Sequence, residues 1–145
     1  MSATTEPAQG LLERTRRASH PRCVVCGRPH DCALGLHFSL RDDGSVVAGV
    51  ECPEDLQGYT GMVHGGVIAA IADGAMTNCL FAHGIAAVTA ELNVRFRHPV
   101  ESGKLLGVTA RITRRAEPLY LAEAELSQAG EVKATAAGKF MEAPR

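Results

Sequence analysis

The chain has 145 residues, 46% of them apolar, no Trp and a formal net charge of −1. That length suffices for one domain with a real core, and the charge argues against nucleic acid or an anionic membrane as a main partner. Five Cys is an odd number, residues 1–10 lack export-signal architecture, and His64 and Asp73 interrupt the best candidate for a bilayer-spanning run, so the expectation is a reduced, cytoplasmic protein with no membrane partner.

Residues 1–20 read as a flexible N-terminal segment in which 11–18, LLERTRRA, forms a short amphipathic helix with a basic, solvated face. Next comes HPRCVVCGRPHDC, residues 20–32. Cys23, Cys26, His30 and Cys32 are the right ligand types for tetrahedral zinc, but all four lie within ten residues, whereas structural sites usually draw a second pair from a separate knuckle. A redox CxxC opens a helix after a strand, and this one follows no strand. The favoured reading is a reduced, ordered loop without metal that packs on the neighbouring sheet. The zinc site is the alternative.

Residues 34–40 and 45–52 look extended and are joined by RDDG, a hairpin signal. Residues 53–61 form a loop whose Gly58 and Gly61 let it lie close to a ligand.

The stretch 58–82, GYTGMVHGGVIAAIADGAMTNCLFA, is the longest weakly polar segment, and Asp73 is its one carboxylate. It reads as a glycine-punctuated turn entering a buried helix of about five turns, with Gly84 placed to stop it. A carboxylate inside such a helix needs a reason, because burial without partners is costly. Gly66 and Asp73, seven apart, share a helical face, and Thr77 lies one turn further on. That face carries an acid, a hydroxyl and, at its start beside His64, unpaired amides suited to a developing oxyanion. By spacing alone, a catalytic Asp73 and one at a helix edge reaching solvent stand level.

Four more strands follow, over 86–97, 104–116, 119–128 and 131–141. Six strands have one long apolar helix to cover, so a sheet wrapped around that helix is the natural packing. An exposed sheet edge of this kind invites self-pairing.

Several pieces, in order, resemble the hotdog-fold thioesterases of the phenylacetate-pathway (PaaI-like) type. They are GLHF at 35–38, GYTGMVHGG at 58–66, the His64…Asp73 spacing and TAELNVRFRHPV at 89–100. The likeness covers residues 22–141. It implies an α+β hotdog fold: an antiparallel sheet of five to six strands around one long central helix. The domain would span 21–141 with a tail at 142–145. It also implies acyl-CoA thioester hydrolysis with no cofactor, coenzyme A entering only as part of the substrate. The assembly would be a homodimer or dimer of dimers, one subunit supplying the helix N-terminus and the other the helical acid.

By the same resemblance Asp73 is the catalytic carboxylate, as general base or nucleophile. The Gly65 N–H binds the thioester carbonyl, and His64 shapes that turn. Thr89 stands where relatives orient water, with Thr77 a second candidate. Substrate contacts fall to Gly66, Gln57, Gly58, Asn93, Arg95 and Arg97, with Arg114 and Arg115 as further partners for coenzyme A phosphates. Met76, Phe81 and Ala82 are candidate pocket residues. Relatives carry Asn or Gln six residues before the His; here Gly58 holds that place and Gln57 is adjacent. A non-catalytic acyl-CoA-binding domain, a hotdog dehydratase and an acyl-carrier-protein thioesterase are the competing readings. No GxSxG, Walker, HExxH or Rossmann motif occurs.

Overall fold

The computed structural model describes residues 6–28 and 34–142. Helix α1 (Gln9–Ser19) precedes strands β1 (Ser39–Leu40) and β2 (Val46–Glu51). Helix α2 (Gly65–Ala82) follows, then β3 (Ala87–Phe96), β4 (Leu105–Ala116), β5 (Leu119–Gln128) and β6 (Glu131–Glu142). The six strands form one antiparallel sheet in the order β1-β2-β4-β5-β6-β3. α2 lies across its inner face, touching β2 to β6. This is the helix-in-sheet packing expected from the chain's pattern.

Eighteen residues of Ala, Ile, Val, Met and Leu character make α2 buried nearly all round. Its length and mean hydropathy of 1.4 would suffice to cross a bilayer, contrary to the expectation that His64 and Asp73 rule this out. What accounts for its apolarity here is the sheet: Ile71, Ala75, Met76, Cys79 and Leu80 are fully buried within the chain. The helix stops as expected. Gly84 adopts φ +74°, its N–H donates to Phe81 O, and Ile85 N–H reaches back to Leu80 O. That is a Schellman closure, for which glycine carries no steric penalty.

One expected strand is shorter than its segment. The segment 34–40 pairs only at Ser39–Leu40; before that its backbone serves the cysteine loop, Leu34 and Leu36 N–H donating to Val24 and Val25 O. The N-terminal segment is docked from Ala8 onward. Leu12 is 1% exposed. Ala8 N–H donates to Ala82 O, and the Gln9 amide spans β1, donating to Phe38 O at 3.0 Å and accepting from Leu40 N–H at 2.6 Å. The arginine face of α1 is also put to use, since Arg16 Nη1 donates to Cys26 O at 3.0 Å.

Among its described residues the cysteine loop packs on α2 through Val25. An added Cβ at Gly74 would lie 2.5 Å from Val25 Cγ1. Gly74→Ala is therefore a test of this contact. Helix propensity favours Ala by about 1 kcal/mol, but overpacking a stiff Val typically costs about 1–3 kcal/mol. The expected result is a lower urea midpoint for Gly74→Ala, recovered in the Val25→Ala, Gly74→Ala double variant. A single variant as stable as the parent would refute the contact.

Candidate active site

His64 caps α2. Its backbone is extended (φ −58°, ψ 135°), and its Nδ1 accepts the Gly66 N–H at 2.8 Å. Val67 and Ile68 N–H both donate to His64 O. Of the four amides a helix start leaves over, the one without an acceptor among the described residues is Gly65 N–H. The turn is tied down on both sides: His64 N–H donates to Leu56 O and Val63 N–H to Val100 O. His64 thus ties down the turn, and its ring nitrogen occupies the Gly66 amide while Gly65 N–H stays open among the described residues.

Around this amide lies a cavity of about 570 Å³, whose lining includes Gly58, Tyr59, His64, Gly65, Phe96 and Arg97. Tyr59 and Phe96 are 82% and 54% exposed, so two large rings flank an open mouth. Gly58 packs beside the His64 ring: a Cβ there would be 3.4 Å from it. Gln57 is turned to its own loop, its Oε1 accepting Gly61 N–H at 3.0 Å.

Asp73 is half-buried; on the same face of α2 Gly66 is exposed, Ala69 and Ala70 are half-buried and Thr77 is buried. Thr89 Oγ1 donates to Asp73 Oδ1 at 2.6 Å. A carboxylate offers only acceptors, so the hydroxyl proton must point at it and Oδ2 stays open to a second donor. β3 carries a bulge between Thr89 and Glu91. Ala87 on one side of it and Leu92 and Val94 on the other all pack on the core. An odd interval between inward residues requires a phase slip, and the bulge supplies it. It lets Thr89 face α2 in step with Ala87. Nothing in the residue pattern marks Ala90 as the extra residue beyond the imperfect alternation of 86–97.

The other candidates disperse. Thr77 is 4% exposed, a core position, and Met76, Phe81 and Ala82 are fully buried core residues within the single chain. Asn93 and Arg95 lie with Thr109, Arg111 and Glu123 along a groove on the sheet; Arg97 lines both this groove and the Gly65 cavity. Arg115 hydrogen-bonds the His83 ring. Cys79 is a core thiol, pushed up to about 11 by burial. Of the cysteine-loop set, His30 and Cys32 lie outside the described residues. Cys23 and Cys26 come together, with His20 as a neighbour that the sequence reading did not include.

Gly65 and Asp73 are eight residues apart on one helix, about 12 Å along its axis. Both cannot touch one reacting carbon. β3 closes the sheet with ten residues whose outer backbone edge is unpaired among the described residues, and Val88 on that strand is 60% exposed.

The sequence model of the thioesterase superfamily matches residues 60–134, just over half of the chain. The chain belongs to that superfamily, and its fold is the hotdog fold. No curated protein matches its sequence. Among solved structures, it is similar to a phenylacetic acid degradation-related protein from Ralstonia eutropha: 27% identity, 90% of this chain and 98% of that one, TM-score 0.72. PaaI from the phenylacetic acid degradation operon of E. coli shares the fold at 20% identity, with 94% and 96% covered and a TM-score of 0.78. A thioesterase superfamily protein is 27% identical over 81% of this chain with a TM-score of 0.77, and this chain spans 61% of its length. A more distant structure of the same fold, from Streptococcus mutans, is bound to acetyl CoA: 17% identity, 76% and 90% covered, TM-score 0.70.

Proposed function

We propose that this chain is an acyl-CoA thioesterase acting as a homodimer, with each site built from Gly65 and His64 of one subunit and Asp73 and Thr89 of the other. The observation that carries the reading is the 2.6 Å bond from Thr89 to Asp73. It holds a lone half-buried carboxylate with one oxygen engaged and the other open, the arrangement a base needs to accept a proton from water.

The chemistry runs as follows. The acyl carbonyl oxygen accepts the Gly65 N–H, where the helix start favours growing negative charge. Asp73 takes a proton from water as the hydroxide equivalent adds to the acyl carbon. The tetrahedral adduct collapses with cleavage of the carbon–sulfur bond. The thiolate is a good leaving group and is protonated by solvent or by Asp73. Neither a cofactor nor a Ser–His pair enters these steps.

The 12 Å spacing within one chain supports placing the site between subunits. Antiparallel pairing of two β3 edges would lay the two α2 helices side by side in opposite directions, bringing the start of one near the middle of the other. The acetyl CoA bound by the Streptococcus mutans neighbour supports the substrate class. The Gly65 cavity would receive the acyl group between Tyr59 and Phe96. The free Cys23, Cys26, Cys52 and Cys79 fit a reducing compartment, and the proposed setting is the cytoplasm.

The test is release of free thiol from a panel of aromatic and aliphatic acyl-CoA esters. Turnover of at least one ester is expected. Binding of these esters without any turnover would replace the enzyme with a non-catalytic acyl-CoA-binding domain.

A further inference from the structure

Helix α1 ends on His20, and the turn that follows carries the CVVCG motif, 23–27. The turn is very tight. Gly27 N–H donates to Cys23 O at 2.9 Å, and a Cβ on Gly27 would stand 2.2 Å from Cys23 N. Only glycine fits, and the closure brings both thiols to one side. Val25 N–H donates to Cys23 Sγ at 3.3 Å. His20 Nδ1 lies 3.8 Å from Cys26 Sγ, and the three candidate ligand atoms are all within 4.8 Å of one another. The His20 ring is oriented by an edge-on contact with Phe81, centroids 5.0 Å apart.

The interior beside these thiols is not purely apolar. Asn78 is fully buried; its Nδ2 donates to Gly74 O at 2.8 Å, and its side chain also hydrogen-bonds Cys26. Its Oδ1 is buried without a partner among the described residues. The Asn78 amide thus sets a buried polar group against the Cys26 thiol.

We propose that His20, Cys23 and Cys26 bind a zinc ion that staples the end of α1 and the 20–27 turn onto the turn of α2 carrying Asp73. Tetrahedral zinc with sulfur and nitrogen ligands at about 2.0–2.3 Å sets neighbouring ligand atoms about 3.5–3.8 Å apart. The 3.8 Å pair already meets this, and the rest of the set closes with side-chain shifts of about 1 Å. Two thiolates and an imidazole suit zinc above magnesium or calcium, which take oxygen ligands. Binding releases the two thiol protons to solvent; the fourth position falls to water or another donor. Burial pushes the Cys26 thiol up to about 11 and holds the His20 imidazole below its ordinary value, against a pull upward from the Asp73 charge. Zinc binding displaces the two thiol protons, so affinity rises with pH. The link to α2 is Val25, which fills the space over Gly74, next to Asp73.

Tag-free protein is passed over a sizing column and its metal measured by mass spectrometry. Metal-stripped protein is then titrated with cobalt(II), followed by its thiolate-to-cobalt charge-transfer absorption. The expected result is one zinc per chain, that absorption at one cobalt per chain, and a lower melting temperature after stripping. Cys23→Ser and Cys26→Ser lose the absorption, and His20→Gln binds more than about tenfold more weakly. Cys52→Ser, a buried thiol outside this turn, keeps the metal. Zinc-free protein whose stripped form shows no cobalt absorption overturns the proposal. So does zinc retained undiminished by the Cys23→Ser, Cys26→Ser double variant. If the cysteine variants do not fold, the cobalt titration of the parent chain decides.

Discussion

Asp73→Asn is expected to lower kcat for acyl-CoA hydrolysis by about 10²–10⁴-fold, the usual worth of a positioned general base, with KM little changed. Asn is the same size and still accepts from Thr89 Oγ1 through its amide oxygen, so the 2.6 Å contact can persist while the proton acceptor is gone. The loss therefore reports chemistry rather than folding. Thr89→Val gives the complementary reading. It leaves the carboxylate but removes the hydroxyl that fixes it, so a smaller fall in kcat is expected. Asp73→Asn turning over at the parent rate would remove Asp73 from the mechanism.

Gly65→Pro addresses the other half of the site. Proline is well accepted at the first position of a helix, where its missing N–H costs no intrahelical bond. It requires the preceding residue to be extended, and His64 is (φ −58°, ψ 135°). Its ring lies toward Phe96, about which a Cβ at Gly65 makes ordinary contact at 3.5 Å. The fold should stand while the oxyanion donor is lost, with kcat falling about 10²–10³-fold.

Mixing the two inactive variants then tests where the site is built. If each site takes Gly65 from one chain and Asp73 from the other, a mixed dimer holds one intact site and one doubly impaired site. Random exchange of subunits makes half the dimers mixed, so the mixture should regain roughly a quarter of the parent activity. A site contained in one chain predicts no recovery at all. Subunits can be exchanged by co-expression, and each variant alone gives the baseline.

The comparison of pattern with structure separates what short-range chemistry decides from what it does not. The central helix was legible because eighteen nearly charge-free residues between a glycine turn and Gly84 admit little else. The long strands were legible from alternation, and the helical acid from its isolation in an apolar run. The reach of 34–40 was overestimated, because a strand exists only where a neighbour pairs with it, and that backbone bonds to the cysteine loop instead. The docking of α1 was invisible for a similar reason: Gln9 gains its meaning from β1, some thirty positions away.

By itself, then, the order of residues determined one helix, its acid, its amide-bearing start and the strands to wrap it, because each depends on neighbours within a few positions. The tertiary structure alone decided that Thr89 meets Asp73, since a one-residue bulge sets which face of β3 that hydroxyl takes. It also decided that His20 joins Cys23 and Cys26, and that Gly74 yields its space to Val25. Those are contacts between separate elements, fixed by packing and register, which no local pattern of side chains encodes.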